Sequence, residues 1–224
     1  MHICLFDIDG TLLHSGGAGK AAMEAALRSA FAAPSGSENI SFSGRTDRGI
    51  LRDMFAHHAI PETPENARRF LDAYLTHLPD CLATHKGVVL QGVVALLDEL
   101  RQRDRVVLGL LTGNIRAGAG IKLAHYRLAD YFAFGGYGDE HFHRDDVARE
   151  ALAEVHRRHA PPPEPERIWV IGDTPLDVQC ARAIGARAVA VATGWHSHAE
   201  LEAARPDLLL ADFSDPGPLL DRLK

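Results

Sequence analysis

Cysteine is scarce in this chain and badly placed for structural use. Cys4, Cys81 and Cys180 are odd in number, scattered and without CxxC spacing, which excludes a disulfide framework and a cysteine-based zinc site. Each is read as a small buried or half-buried side chain. A basic excess is also missing. With 24 Lys and Arg against 30 Asp and Glu the net charge is -6, whereas nucleic-acid-binding surfaces usually carry the opposite sign. No apolar run approaches the roughly 18 residues of a membrane helix. The opening stretch His2-Ile3-Cys4-Leu5-Phe6 is too short for a signal peptide and is broken at once by Asp7. Internal repeats, low-complexity tracts and long linkers are lacking too, and oligomeric state leaves no signature. A cytoplasmic protein without a nucleic-acid or membrane partner is expected.

A large core, by contrast, is within reach: 46% of the 224 residues are hydrophobic, enough for a main domain carrying a small inserted one. Short apolar runs at 3–6, 106–111 and 168–171 each end in a polar turn, and 188–191 and 208–210 repeat the pattern. Such runs read as strands buried on both faces of a parallel sheet. Between them lie helical stripes: Val93, Leu96, Leu97 and Leu100; Ile121, Leu123 and the 126–128 segment; Ala148, Ala151, Leu152 and Val155, the last ending before Pro161-Pro162-Pro163. Alternation of this kind predicts a doubly wound, Rossmann-like α/β domain. Residues 16–85 break the rhythm, with three helical patterns (19–31, 47–58, 64–78) and no strand. They predict a small all-helical cap inserted after the first strand, leaving 1–15 and 86–224 as the core domain.

Ligands of open α/β sheets bind beyond the carboxyl ends of the strands. There the chain places Asp7 and Asp9, then Thr112, Gly113 and Asn114, then Asp173 and Asp177. Clustered carboxylates repel one another unless a cation intervenes. An all-oxygen set without His or Cys favours a hard ion such as magnesium, which binds one or two carboxylates and a substrate phosphate. Asp7 can then attack phosphorus, Asp9 can protonate the leaving oxygen and later activate water, and Thr112 with nearby helix-start N–H groups suits phosphate oxygens.

Asp7-Ile8-Asp9-Gly10-Thr11 resembles the first motif of the haloacid dehalogenase-like hydrolase superfamily, Leu111-Thr112-Gly113-Asn114 its second, and Gly172-Asp173 with Asp177 its fourth. The helical insertion resembles the cap of phosphoglycolate phosphatase-like members. The resemblance implies a Mg2+-dependent phosphatase acting on a small phosphorylated metabolite through an aspartyl-phosphate. Asp7 is then the nucleophile and Asp9 the acid/base. The metal falls to Asp7, the Asp9 carbonyl and Asp173, with Asp177 as an occasional partner, and the phosphate to Thr112. A phosphomutase of the same superfamily shares every motif; a dehalogenase does not need Asp9 or the metal acids, and a non-catalytic phosphate-binding module does not need to keep Asp7, Asp9 and Asp173 together. The third motif usually offers a Lys. Here Arg144, ahead of the helix leading to the fourth motif, is assigned that role and a place at the phosphate; Lys122 is its rival, expected to face solvent from the helix after the second motif. Arg is not an innocent exchange for Lys.

Other residues have plainer readings. The stretch Ser15-Gly16-Gly17-Ala18-Gly19-Lys20 lacks the Gly and the Ser or Thr of a phosphate loop and reads as a hinge into the cap. His141 and His143 lack a third metal ligand and read as a solvated loop. Trp195 reads as core or rim. Arg45, after a break and before a helix, is expected to meet an anionic substrate; the plainer alternative is that Thr46 or Asp47 caps that helix and leaves Arg45 in solvent.

Overall fold

A computed structural model of the chain describes residues 1–34 and 40–224; residues 35–39, part of the expected insertion, lie outside the described residues. Every residue of the first strand, β1 (His2–Phe6), is buried. Ile3 and Leu5 join one apolar cluster while Cys4 and Phe6 join another, because successive strand side chains point to opposite faces. Both faces of the strand are therefore covered, as its unbroken apolar run requires.

Beyond β1 a short strand, β2 (Leu13–His14), leads out of the sheet into three helices, α1 (Ala18–Phe31), α2 (Asp47–His57) and α3 (Pro64–Thr84). Their apolar faces make a third cluster, with Met23, Leu27, Leu51, Phe70 and Tyr74 among its members and Ile115 joining from outside the three helices. Within it the Phe55 ring meets those of Phe31 and Phe70 edge-on, at centroid distances of 5.4 and 5.7 Å. Thr46 and Thr63 cap α2 and α3, accepting from the backbone N–H of Gly49 and Asn66. The third helix passes the expected end at 78 and continues through Pro79 to Thr84, with Leu82 still buried in the cluster; packing of that face outweighs the missing donor of the proline. The chain returns through β3 (Val88–Val89), which pairs antiparallel with β2, so its two crossings run side by side. Gly16 and Gly17 turn the outgoing crossing with φ of 63° and 89°, in the left-handed region open to glycine.

The remainder alternates: α4 (Val93–Arg101), β4 (Val106–Leu111), α5 (Arg116–His125), β5 (Gly135–Gly136), α6 (Arg144–Arg158), β6 (Ile168–Gly172), α7 (Pro175–Ala183), β7 (Arg187–Val191), α8 (His198–Ala203), β8 (Leu208–Leu210) and α9 (Gly217–Leu220). The six-stranded sheet runs β5-β4-β1-β6-β7-β8 with every pairing parallel. This is the doubly wound α/β fold that the alternation predicts. Two glycines make up β5, so no apolar run announces it; α6 presses so close that a Cβ at Gly136 would overlap the Val147 carbonyl oxygen. From β1 the chain steps outward to β4 and β5, then crosses back to β6, β7 and β8. The strand order thus reverses beside β1, and the carboxyl ends of β1, β4 and β6 open on one crevice. No described helix is long and apolar enough to cross a membrane.

Candidate active site

Asp7 leaves the end of β1, Asp173 the end of β6, and Asp177 lies in the first turn of α7. Their carboxylate oxygens come within 4.8 Å of one another, and all three residues are buried. Glycine makes the packing possible. A Cβ at either Gly10 or Gly194 would overlap the Asp173 carboxylate, and the φ of 87° at Gly10 turns the chain beneath it. Thr11 Oγ1 donates to Asp173 Oδ1 at 3.1 Å. Asp177 is not the surface acid common in first helical turns. Its Oδ2 closes a capping box with Thr174, accepting from the backbone N–H at 3.0 Å and the hydroxyl at 2.7 Å, and its Oδ1 accepts from Arg144.

Arg144 opens α6 with 6% of its surface exposed. One terminal nitrogen donates to Asp7 Oδ1 at 3.3 Å and the other to Asp177. Burial works against this cation, but Asp7 and Asp177 outweigh it and hold the guanidinium firmly protonated. Burial likewise pushes the Asp7 carboxyl up to about 6; Arg144 opposes that rise, while Asp177 and Asp9 add to it. Asp173 is raised too, by burial first and then by Asp177 and Asp7. Three buried carboxylates against one guanidinium leave excess negative charge in an all-oxygen pocket, which fits a hard divalent cation.

Asp9 turns away from this cluster. Its Oδ2 accepts from Lys122 Nζ at 2.5 Å and from Asn114 Nδ2 at 2.9 Å, and Lys122 also donates to Asn114 Oδ1 at 2.7 Å. Lys122 does belong to the helix after the second motif, but the expectation that it faces solvent is wrong: it is 4% exposed. It shares the buried stripe of α5 with Gly118, Ala119 and Leu123. Burial disfavours its charge, yet Asp9 and Asp47 outweigh burial and raise its pKa. Burial would raise Asp9 as well, but the Lys122 charge and the bonds from Lys122 and Asn114 bring it below the usual carboxylate range. The two basic residues therefore stand in different places, Arg144 beside Asp7 and Lys122 beside Asp9. Asn114 Nδ2 also donates to Thr112 Oγ1 at 2.9 Å, so the Thr112 hydroxyl proton remains free to be donated onward.

The three helices roof a cavity of 840 Å³ whose floor includes Asp7, Asp9 and Asp173. Arg45 lines it, but its guanidinium is engaged by Asp53 at 2.6 Å and by the carbonyl oxygens of Ser41 and Gly49. Thr46 caps α2 as read. Asp47 does more: its N–H donates to Gly113 O at 2.7 Å and its Oδ2 accepts from Ile115 N at 2.8 Å, tying the helical segment to the loop after β4. Burial pushes Asp47 up to about 6, with Lys122 opposing. Neither Asp47 nor buried Tyr74, also in the cavity wall, stands out as a site residue in sequence. Trp195 is not core; at 86% exposed it stands at the cavity lip. His141 and His143 form no metal cluster among the described residues, and His141 pairs with Glu150 at 3.0 Å.

A parallel α/β sheet with paired acids at the ends of β1 and β6 defines a hydrolase of the haloacid dehalogenase type, and the sequence matches the haloacid dehalogenase-like hydrolase family over residues 4–191. The chain belongs to that family and is an enzyme of its phosphatase type. It is 30% identical over 218 residues to a phosphoglycolate phosphatase of Synechococcus elongatus, covering 96% of this chain and 95% of the relative. A phosphoglycolate phosphatase of Pectobacterium atrosepticum is 27% identical, with 96% and 90% covered. Among solved structures, CbbY from Rhodobacter sphaeroides in complex with phosphate shares the fold at a TM-score of 0.75 and 19% identity, with 97% and 96% of the chains covered.

Proposed function

We propose that the enzyme is a magnesium-dependent phosphomonoesterase that works through a phosphoryl group carried on Asp7. The convergence of Asp7, Asp173 and Asp177 beside Arg144 carries this reading. Asp7, the Asp9 carbonyl and Asp173 would hold Mg2+, with Asp177 as an outer partner since both its oxygens are already engaged. A bound magnesium ion supplies positive charge that lets an anionic carboxylate approach an anionic phosphate. Asp7 attacks phosphorus; the ester bond breaks with its electron pair going to the leaving oxygen, and Asp9 protonates that oxygen. Asp9, now a carboxylate, takes a proton from water as the water attacks phosphorus, and Asp7 departs from the phosphate. Thr112 donates its free hydroxyl proton to a phosphate oxygen, with Gly113 and Asn114 shaping that loop. Arg144 stands where one guanidinium can touch both Asp7 and the transferring phosphate.

Residues 16–85 act as a cap over residues 1–15 and 86–224, excluding bulk water during transfer. Arg45, its charge already met by Asp53, takes a lesser part in binding substrate. The relatives named phosphoglycolate phosphatase support a small phosphorylated metabolite, phosphoglycolate foremost; a cytoplasmic setting is part of the same proposal. Phosphate release from 2-phosphoglycolate and a panel of sugar phosphates, with Mg2+ and with chelator, tests the proposal alongside Asp7→Asn. Expected is chelator-sensitive release that Asp7→Asn abolishes while its circular dichroism spectrum stays native. Near-normal turnover by Asp7→Asn overturns the nucleophile assignment, and no release from any ester overturns the activity.

A further inference from the structure

We infer that Lys122 is a positioning residue for Asp9: together with Asn114 it pins one carboxylate oxygen, so that the other is presented to the leaving group. The inference rests on the phosphatase reading and goes beyond it, since the motif pattern offers Lys122 only as a rival to Arg144 and gives it no part at Asp9.

Three observations carry it. Both bonds to the Asp9 carboxylate end on Oδ2, from Lys122 Nζ at 2.5 Å and Asn114 Nδ2 at 2.9 Å. Lys122 and Asn114 are themselves joined at 2.7 Å, which closes a triangle and fixes the orientation of the Asn114 amide. Both residues line the cavity, but the Lys122 side chain is only 5% exposed while that of Asp9 keeps 38%, so the pinning partner is largely covered and the pinned carboxylate is the more open of the two. Burying an ammonium is costly unless it is paired and hydrogen-bonded, and the site supplies that pairing through Asp9 and Asn114. Held at Oδ2 by two donors, the carboxylate has little freedom to rotate, and Oδ1 is left for proton transfer.

In the first half-reaction Asp9 Oδ1 takes up the proton that a monoanionic phosphate ester brings and passes it to the ester oxygen as the phosphorus–oxygen bond breaks toward that oxygen. The alcohol leaves, the phosphoryl group stays on Asp7, and Asp9 is left as a carboxylate between Lys122 and Asn114. Water then returns a proton to Oδ1 as its oxygen attacks phosphorus and the bond to Asp7 breaks. Lys122 keeps its proton throughout and touches neither substrate nor phosphate.

The test compares two esters that need the proton to different degrees. p-Nitrophenyl phosphate releases a stable phenolate; 2-phosphoglycolate, or another aliphatic monoester the wild type turns over, releases a basic alkoxide. kcat/KM is measured for wild type, Lys122→Met and Lys122→Gln, the last being a second variant in case the Met side chain disturbs folding. Expected is a fall of about 10- to 100-fold on the aliphatic ester, part of what a placed general acid supplies, and a clearly smaller fall on the aryl ester. In an Asp9→Asn background Lys122→Met should add nothing, because the residue it orients is gone. Equal loss on both esters, a pure rise in KM, or undiminished additivity with Asp9→Asn overturns the inference while leaving the phosphatase intact. A wild type that hydrolyses neither ester instead removes the phosphatase reading beneath it.

Discussion

The Arg144 guanidinium lies 3.3 Å from the Asp7 carboxylate, and both are nearly cut off from bulk water. The same guanidinium holds Asp177, so one planar cation spans an acid at the end of β1 and another in the first turn of α7. Lys offers one point charge on a shorter effective reach and cannot fork in this way. Arg144→Lys should therefore fold but turn over more slowly, keeping the bond to one acid and losing the other. Arg144→Met leaves buried carboxylates without their cation and should destabilise the metal-free protein by about 3–5 kcal/mol. Denaturant unfolding without metal, together with phosphate release, checks both. A Met variant as stable as wild type would show that Arg144 does not compensate the cluster.

Much of this site is legible in the sequence, and the failures have physical causes. Asp7, Thr112 and Asp173 can be located because each ends an apolar run, and the parallel sheet brings those ends together. Lys122 is expected in solvent on its charge alone, but its helical position buries it. Ile115, Gly118, Ala119, Lys122 and Leu123 follow the 3.6-residue period, which puts the lysine on the buried face. Asp47 looked like a simple helix-start acid, and only the roof of three helices shows its carboxylate reaching Ile115. The two-glycine strand β5 carries no side-chain signal at all; its place comes from β4 and α6.

Metal binding should be visible without any turnover. Asp173 is packed between Gly10 and Gly194 and carries repulsion that a divalent ion would relieve. At a hundredfold excess over Kd a ligand specific for the folded state adds about 2.7 kcal/mol, and a chain of this size gains roughly 2–4 °C per kcal/mol. The melting temperature of the wild type should therefore rise by several degrees in saturating Mg2+. Asp173→Asn should melt normally without metal and gain little from it. An equal magnesium shift in both would move the ion elsewhere.

At Gly113 the proposed cap and core meet closely. A Cβ there would overlap the carbonyl oxygen of Arg45, and the neighbouring bond from Asp47 N–H to Gly113 O leaves little room for either backbone to yield. Gly113→Ala should cost about 1–3 kcal/mol, the usual range for overpacking, and should weaken activity by lifting the cap from the loop that carries Thr112. Thermal melts and phosphate release read the two effects. A variant with wild-type values in both would mean that this contact is not maintained in solution.

Without metal, stability should respond to pH in an unusual direction. Asp7 and Asp47 are both raised from 3.8 to about 6 by burial, and Asp173 is raised too. A carboxyl whose pKa is higher folded than unfolded binds its proton more tightly in the folded state. Its stabilising contribution is complete below the unfolded value and is lost as pH rises through the folded one. Metal-free protein should consequently become more stable as pH falls from about 6 toward about 4. His2, whose pKa burial lowers from 6.5, opposes the trend as pH falls below that value, and Asp9 and Asp207, both held below the usual range, oppose it in stronger acid. Asp47→Asn removes one titrating group outside the metal cluster while keeping an oxygen for the Ile115 N–H, so it should flatten the slope and leave the magnesium shift in place. Saturating Mg2+ should flatten it through Asp7 and Asp173 instead, and the two changes together should nearly abolish it. Metal-free melts in chelator across pH 4–7 give the slope; unfolding that grows easier throughout that range as pH falls would contradict the burial of these acids as charged groups.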